Sequence, residues 1–217
     1  MLLFFFSLSV LAASEGDDLT WILEKDKKGI QIYTGKSKSG KFMVYKAETV
    51  INSRLSNVFN FLQNTSVTTS WLYNLKSIEL LNINDSYETN YYVLYSTPWP
   101  ISDVSAVLRA TWQYDRINKL LKNSTISVDA GQYSDDGYMH IPLIETHNRF
   151  QQVGTNEVKL SFQVTIDHGY ALPDLIVDTV SVETLYETLA NLKQIDFKKY
   201  NNVNLLGTLP QSEETSQ

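Results

Sequence analysis

Residues 157–196 read EVKLSFQVTIDHGYALPDLIVDTVSVETLYETLANLKQID, and the spacing of their apolar positions changes once, from a period of two to that of a helix. In the first part Val158, Leu160, Phe162, Val164 and Ile166 alternate with Lys159, Ser161, Gln163, Thr165 and Asp167. That is the pattern of a strand with one buried and one solvated face. Pro173 then suits the first turn of a helix. Over residues 174–196, Leu175, Val182, Leu185, Leu189 and Leu192 fall along one stripe, with Glu183, Glu187, Asn191 and Lys193 largely outside it. A half-buried strand that feeds a long amphipathic helix predicts a sheet closed by that helix.

Upstream, strand signals dominate. β-Branched and aromatic residues recur between turn residues over 29–34, 41–51, 75–84, 87–97, 103–115, 118–129 and 138–152. The segment 35–40 reads as a hairpin turn, and so does Gly154-Thr155-Asn156. Strand following strand implies an antiparallel sheet. The one interruption is 54–63, where Leu55, Val58, Phe59 and Leu62 have helical spacing and Asn52 or Ser53 offers a cap.

The chain has 217 residues, 43% of them hydrophobic, which suffices for one sizeable core. Its 18 Lys and Arg against 24 Asp and Glu leave a net charge of −6, the wrong balance for a nucleic-acid binder. With no cysteine, disulfides, thiolate metal sites and Cys nucleophiles are excluded. At the N-terminus the short apolar run 2–13, followed by Ala12-Ala13-Ser14 and an acidic stretch, reads as a signal peptide over 1–14. Export is the expectation, to the periplasm of a Gram-negative bacterium or otherwise to the medium. The domain is expected to occupy 19–196. Residues 197–217, polar and without periodicity, read as a disordered tail.

Several pieces in order along this domain resemble the START family, the lipid-transfer domains related to the steroidogenic acute regulatory protein, and specifically its short exported bacterial members. They are the opening from Trp21 through Lys28-Gly29-Ile30 to Tyr33, Trp71 after the first helix, Pro98-Trp99-Pro100-Ile101-Ser102-Asp103 before the strand that reaches Leu108-Arg109, and Gly169 with Pro173 ahead of the closing helix. Two features depart from the family. Val104-Ser105 stands where an Arg-Asp pair is common, and the strand at Tyr91 to Thr97 carries no carboxylate, so sterol specificity does not carry over. The resemblance implies an α+β helix-grip fold, a curved antiparallel sheet wrapped around the C-terminal helix with an internal apolar cavity.

A cavity of this kind spans roughly 300–1,000 Å³ and is mostly apolar. An acyl chain entering it gains about 0.8 kcal/mol per buried CH₂. The expected cargo is therefore one hydrophobic molecule, a phospholipid, fatty acid, sterol-like compound or isoprenoid, held for carriage or transfer between membranes. Membrane contact is expected to be transient and the protein monomeric, with no cofactor and no catalysis. Candidate wall residues are Phe162 and Val164 on the last strand and Leu175, Val182, Leu185 and Leu189 on the helix, each of which also fits an ordinary core. Tyr91, Val93 and Tyr95 share one strand face and could orient an amphiphile or pack across strands. Arg109 could pair an anionic head group, make a structural hydrogen bond, or face outward.

Two further readings belong to other classes, a protein-interaction module with a filled core and a cyclase- or aromatase-like enzyme using Arg109, His140 and cavity tyrosines. The P-loop-like Gly35-Lys36-Ser37-Lys38-Ser39-Gly40-Lys41 lacks the following Ser or Thr and the helix that a nucleotide site needs. His140 and His147, seven apart in one strand, face opposite sides and cannot share a metal; a site using His168 on the next strand stays geometrically open, with isolated hydrogen-bonded histidines as the expectation.

Overall fold

The computed structural model describes residues 19–36, 42–85, 87–97, 102–133, 137–167, 174–201 and 205–211. Within them, ten strands form one sheet: β1 (Ile22–Lys27), β2 (Ile30–Lys36), β3 (Met43–Ile51), β4 (Leu75–Asp85), β5 (Glu88–Tyr95), β6 (Val104–Asp115), β7 (Leu120–Val128), β8 (Met139–His140), β9 (Leu143–Gly154) and β10 (Glu157–Asp167). Their order is β1-β2-β3-β10-β9-β7-β6-β5-β4, with β8 on β6. All pairs are antiparallel except the short β8, which runs parallel to the start of β6. The connection from β3 to β4 carries α1 (Leu55–Leu62), and α2 (Asp174–Leu192) follows β10. This is the expected α+β arrangement of one antiparallel sheet with a closing helix.

Local chemistry explains the joints. Lys28 and Gly29, both at positive φ (54° and 70°), form the two-residue turn between β1 and β2, whose twist matches that of the flanking strands. The edges of the sheet are β1 and β4, and both are irregular. The register slips between Leu23 and Lys25 on β1, and between Leu75 and Ser77, Leu80 and Asn82, and Ile83 and Asp85 on β4.

Three expectations change. The strand over 138–152 is split by Ile141-Pro142 into β8 and β9, because proline cannot donate a ladder hydrogen bond. His140 and His147 therefore lie on different strands. Neither Asn52 nor Ser53 caps α1. The N-cap is Arg54, and the Leu55 amide donates instead to Gln152 Oε1 of β9 at 2.6 Å. The tail does not begin as a disordered segment, since 3-10 turns at Phe197–Tyr200 and Leu205–Thr208 put Phe197, Leu206 and Leu209 into the core. The Tyr114 amide donates to Pro210 O at 3.1 Å, holding this segment on β6. Residues 1–14 lie outside the described residues, as do 212–217.

Candidate ligand-binding face

Strand register sorts every side chain onto one of two faces. Opposite one another on the inner face stand Val164 of β10, Tyr45 of β3 and Thr146 of β9, and further along Leu108 of β6, Tyr91 of β5 and Ser127 of β7. This inner face carries two separate apolar clusters. The first gathers Ile32, Ala47, Phe150, Leu160 and Phe162 from the sheet beneath α1 and the second half of α2, where Phe59, Leu189 and Leu192 are buried. Edge-on ring contacts fix it, Phe59 to Trp112 at 5.2 Å and Phe61 to Phe197 at 5.3 Å.

The second cluster lies toward β4. It contains Leu75, Val93, Val104, Ala106, Leu108 and Ile144, with Ile78, Tyr91, Tyr95 and Ile166 half-buried against it. Among the described residues no apolar side chain of a helix packs on this cluster. Leu72, in the loop before β4, touches both clusters.

Between them the inner face turns polar. Strand β9 spells the change in its inward positions, Ile144 in the second cluster, then Thr146 and Asn148, then Phe150 in the first. Across from these on β7 stand Thr125 and Asn123. Asn123 is buried, and its Nδ2 donates to Thr111 O at 3.1 Å. Its Oδ1 accepts from Asn148 Nδ2 at 3.1 Å and from Thr125 Oγ1 at 3.4 Å. Asn148 Nδ2 also reaches Thr146 Oγ1 at 3.4 Å. Asn148 itself is half-buried, and among the described residues its Oδ1 accepts no hydrogen bond.

The sequence-derived site residues divide along these lines. Tyr91, Val93 and Tyr95 share the inner face with Phe162 and Val164. Burial raises the Tyr91 phenol above its ordinary value, partly offset by a hydrogen bond with Thr89, and pushes that of Tyr95 up to about 12. On α2, Leu189 is fully buried in the first cluster while Val182 and Leu185 are half-buried against it. Phe162 and Leu189 are therefore filled-core residues. The side chain of Leu175 lies outside the described residues.

Arg109 is the correction. It stands on the outer face, 47% exposed, with its Nε 3.8 Å from Glu88 Oε1, so the outward-facing alternative holds and the guanidinium is not on the inner face. His140 is also turned outward, its Nδ1 2.9 Å from the Oγ of fully buried Ser105. The residues named for an enzymatic reading are thus not brought together. His147 pairs with Glu145 at 3.1 Å, and His168 lies outside the described residues. No group of three metal-ligating side chains occurs among the described residues.

An open groove of about 890 Å³ lies elsewhere, between the start of α1 and the turns after β6 and β9, lined by Arg54, Tyr114, Arg116 and Lys119. None of the sequence-derived site residues borders it.

No protein-family model matches the sequence, and no curated protein does. Solved structures do match. A STAR-related lipid transfer protein from Xanthomonas axonopodis superposes with a TM-score of 0.71 at 22% identity, over 80% of this chain and 96% of that one. Human StAR-related lipid transfer protein 5 gives 0.74 at 14% identity, over 82% and 86%. The lipid transfer and protein localization domain of human StarD13 gives 0.70 at 13% identity, over 85% and 90%. With the sheet order, the closing helix and the inward-facing clusters already established, these likenesses identify the architecture: the chain folds as a START-like helix-grip domain.

Proposed function

We propose that this protein binds one lipid against the inner face of its sheet and carries it between membranes. The observation that carries the reading is the second apolar cluster, which presents Tyr91, Tyr95, Ile78 and Ile166 only half-buried and has no described apolar side chain of a helix packed on it. An unfilled apolar wall facing into a fold is costly unless something apolar occupies it. The structural neighbours named as lipid-transfer proteins support the same reading. Binding rather than bond making is its work. The N-terminal run at 2–13 supports export by signal peptide, with transient membrane contact in keeping with a net charge of −6.

Native mass spectrometry of the protein purified from its own host, followed by extraction of any adduct, tests this. A stoichiometric lipid of one class is expected, and the mass of the protein itself reports whether the leader has been removed. Val164→Trp, placed between Tyr45 and Thr146 on the inner face, should lower lipid uptake at least tenfold while leaving a cooperative unfolding transition. A protein that stays empty after incubation with host lipid extract would overturn the carrier reading and favour an interaction module.

A further inference from the structure

We infer that the cargo carries an uncharged, hydrogen-bonding head, a hydroxyl or amide, that docks on the polar strip formed by Asn123, Thr125, Thr146 and Asn148. The inference rests on the proposed carrier reading and names the class of lipid carried.

The strip is out of place in a core. Four amide and hydroxyl side chains sit at the centre of the inner face, where burial of unpaired polar groups is costly. Their mutual bonds satisfy most of the group but not all of it. Asn123 donates to Thr111 O and accepts twice at its Oδ1, whereas Asn148 Oδ1 accepts nothing among the described residues, and the Thr146 hydroxyl accepts from Asn148 with its own proton uncommitted. Both Asn148 and Thr146 are half-buried. One free acceptor beside one free donor matches a group that both donates and accepts. The apolar clusters on either side provide for the rest of an amphiphile.

Charge decides against the alternatives. No Lys, Arg or His stands on the inner face of β9 and β7, which carry the strip, or of the flanking β10 and β6, where Arg109 points outward. The inward lysines Lys25 and Lys27 of β1 and Lys36 of β2 lie at the far side of the sheet, Lys25 being paired with Glu183 of α2 at 2.7 Å. Lys193 reaches in only at the far end, donating to Thr49 Oγ1 and Val50 O at 3.2 Å each. Asp178 on α2 turns its carboxylate to the inner face, where it accepts from the Tyr45 hydroxyl at 2.6 Å and would repel an anion. A carboxylate or phosphate placed on the strip would be buried without a counter-charge. Asn and Thr can satisfy a neutral head without that penalty.

The test pairs lipids that share their chains and differ in the head. The full-length protein is incubated with vesicles containing monoolein or oleic acid, and dioleoylglycerol or dioleoyl phosphatidate, at pH 7.5, and uptake is read by native mass spectrometry. Pyrene, a hydrocarbon without a head group, reports by fluorescence on the apolar walls alone. The neutral member of each pair should bind at least tenfold more tightly. Asn148→Leu should remove most of that preference while pyrene binding persists, and Thr146→Val is the nearly isosteric second variant should the first not fold. Equal or tighter uptake of the anionic members, or an unchanged preference in both variants, would overturn the inference and leave the carrier reading standing. If neither lipid nor pyrene binds, the carrier reading falls and the inference falls with it.

Discussion

The two apolar clusters of the inner face are built from the same kinds of residues and differ in what lies over them. The first is sealed by α1 and the second half of α2, and Ile32, Phe59, Leu160 and Leu189 in it are almost inaccessible. The second has half-buried tyrosines and isoleucines and, among the described residues, no apolar side chain of a helix packed on it. On the proposed carrier reading, the domain separates stability from binding across one sheet, folding on one cluster and holding its ligand on the other. Substitutions should obey that division.

The largest effect is expected in the sealed cluster. Phe59→Ala should cost roughly 3–5 kcal/mol in chemical denaturation, whereas Ile166→Ala in the open cluster should cost about 1 kcal/mol and show itself chiefly as weaker lipid uptake. Comparable losses at the two positions would erase the distinction.

Next in size is an alkaline effect peculiar to the open cluster. Tyr95 ionises near 12 in the folded protein and near 10 when unfolded, so burial favours the neutral phenol. Its contribution is fully present below pH 10 and is lost as the pH rises toward 12, by about 2 kcal/mol. Urea titrations of the wild type and Tyr95→Phe at pH 8 and pH 11 should show the wild type losing ground against the variant, and parallel curves would place the Tyr95 phenol in water.

Tyr45→Phe sits at the boundary, because its hydroxyl anchors Asp178 of α2 to the sheet. Removing it should cost about 1.5 kcal/mol and speed lipid exchange measured by transfer between vesicles, since the first half of α2 loses its tie. Arg109→Ala should be the smallest. Its ion pair is exposed and long, so stability should change by less than about 0.5 kcal/mol and binding of neutral and anionic lipids alike should be unaffected.

Much of the sheet was legible because one face is wet. β10 alternates cleanly, and its inward residues are the ones the alternation names. β6 is different. Residues 104–108 are buried on both faces, and periodicity vanishes just where Arg109 needed to be assigned to a side. The polar strip was unreadable for the opposite reason. Asn123, Thr125, Thr146 and Asn148 look like solvent-facing positions, and only the register against Leu121, Phe150 and Ile144 turns them inward. The segment after residue 196 was misread because Phe197, Leu206 and Leu209 are too widely spaced to show a period, and each is buried by a contact distant in sequence.

The slipped registers along β1 and β4 bear on a different hazard. A sheet left open at both ends offers rows of unpaired amides and carbonyls to any neighbouring strand, and a half-covered apolar face would make such pairing adhesive. Bulges displace those groups from the regular spacing that a partner strand requires. With three register shifts on β4 and one on β1, the molecule can keep a half-covered apolar face while its edges remain poor templates for aggregation.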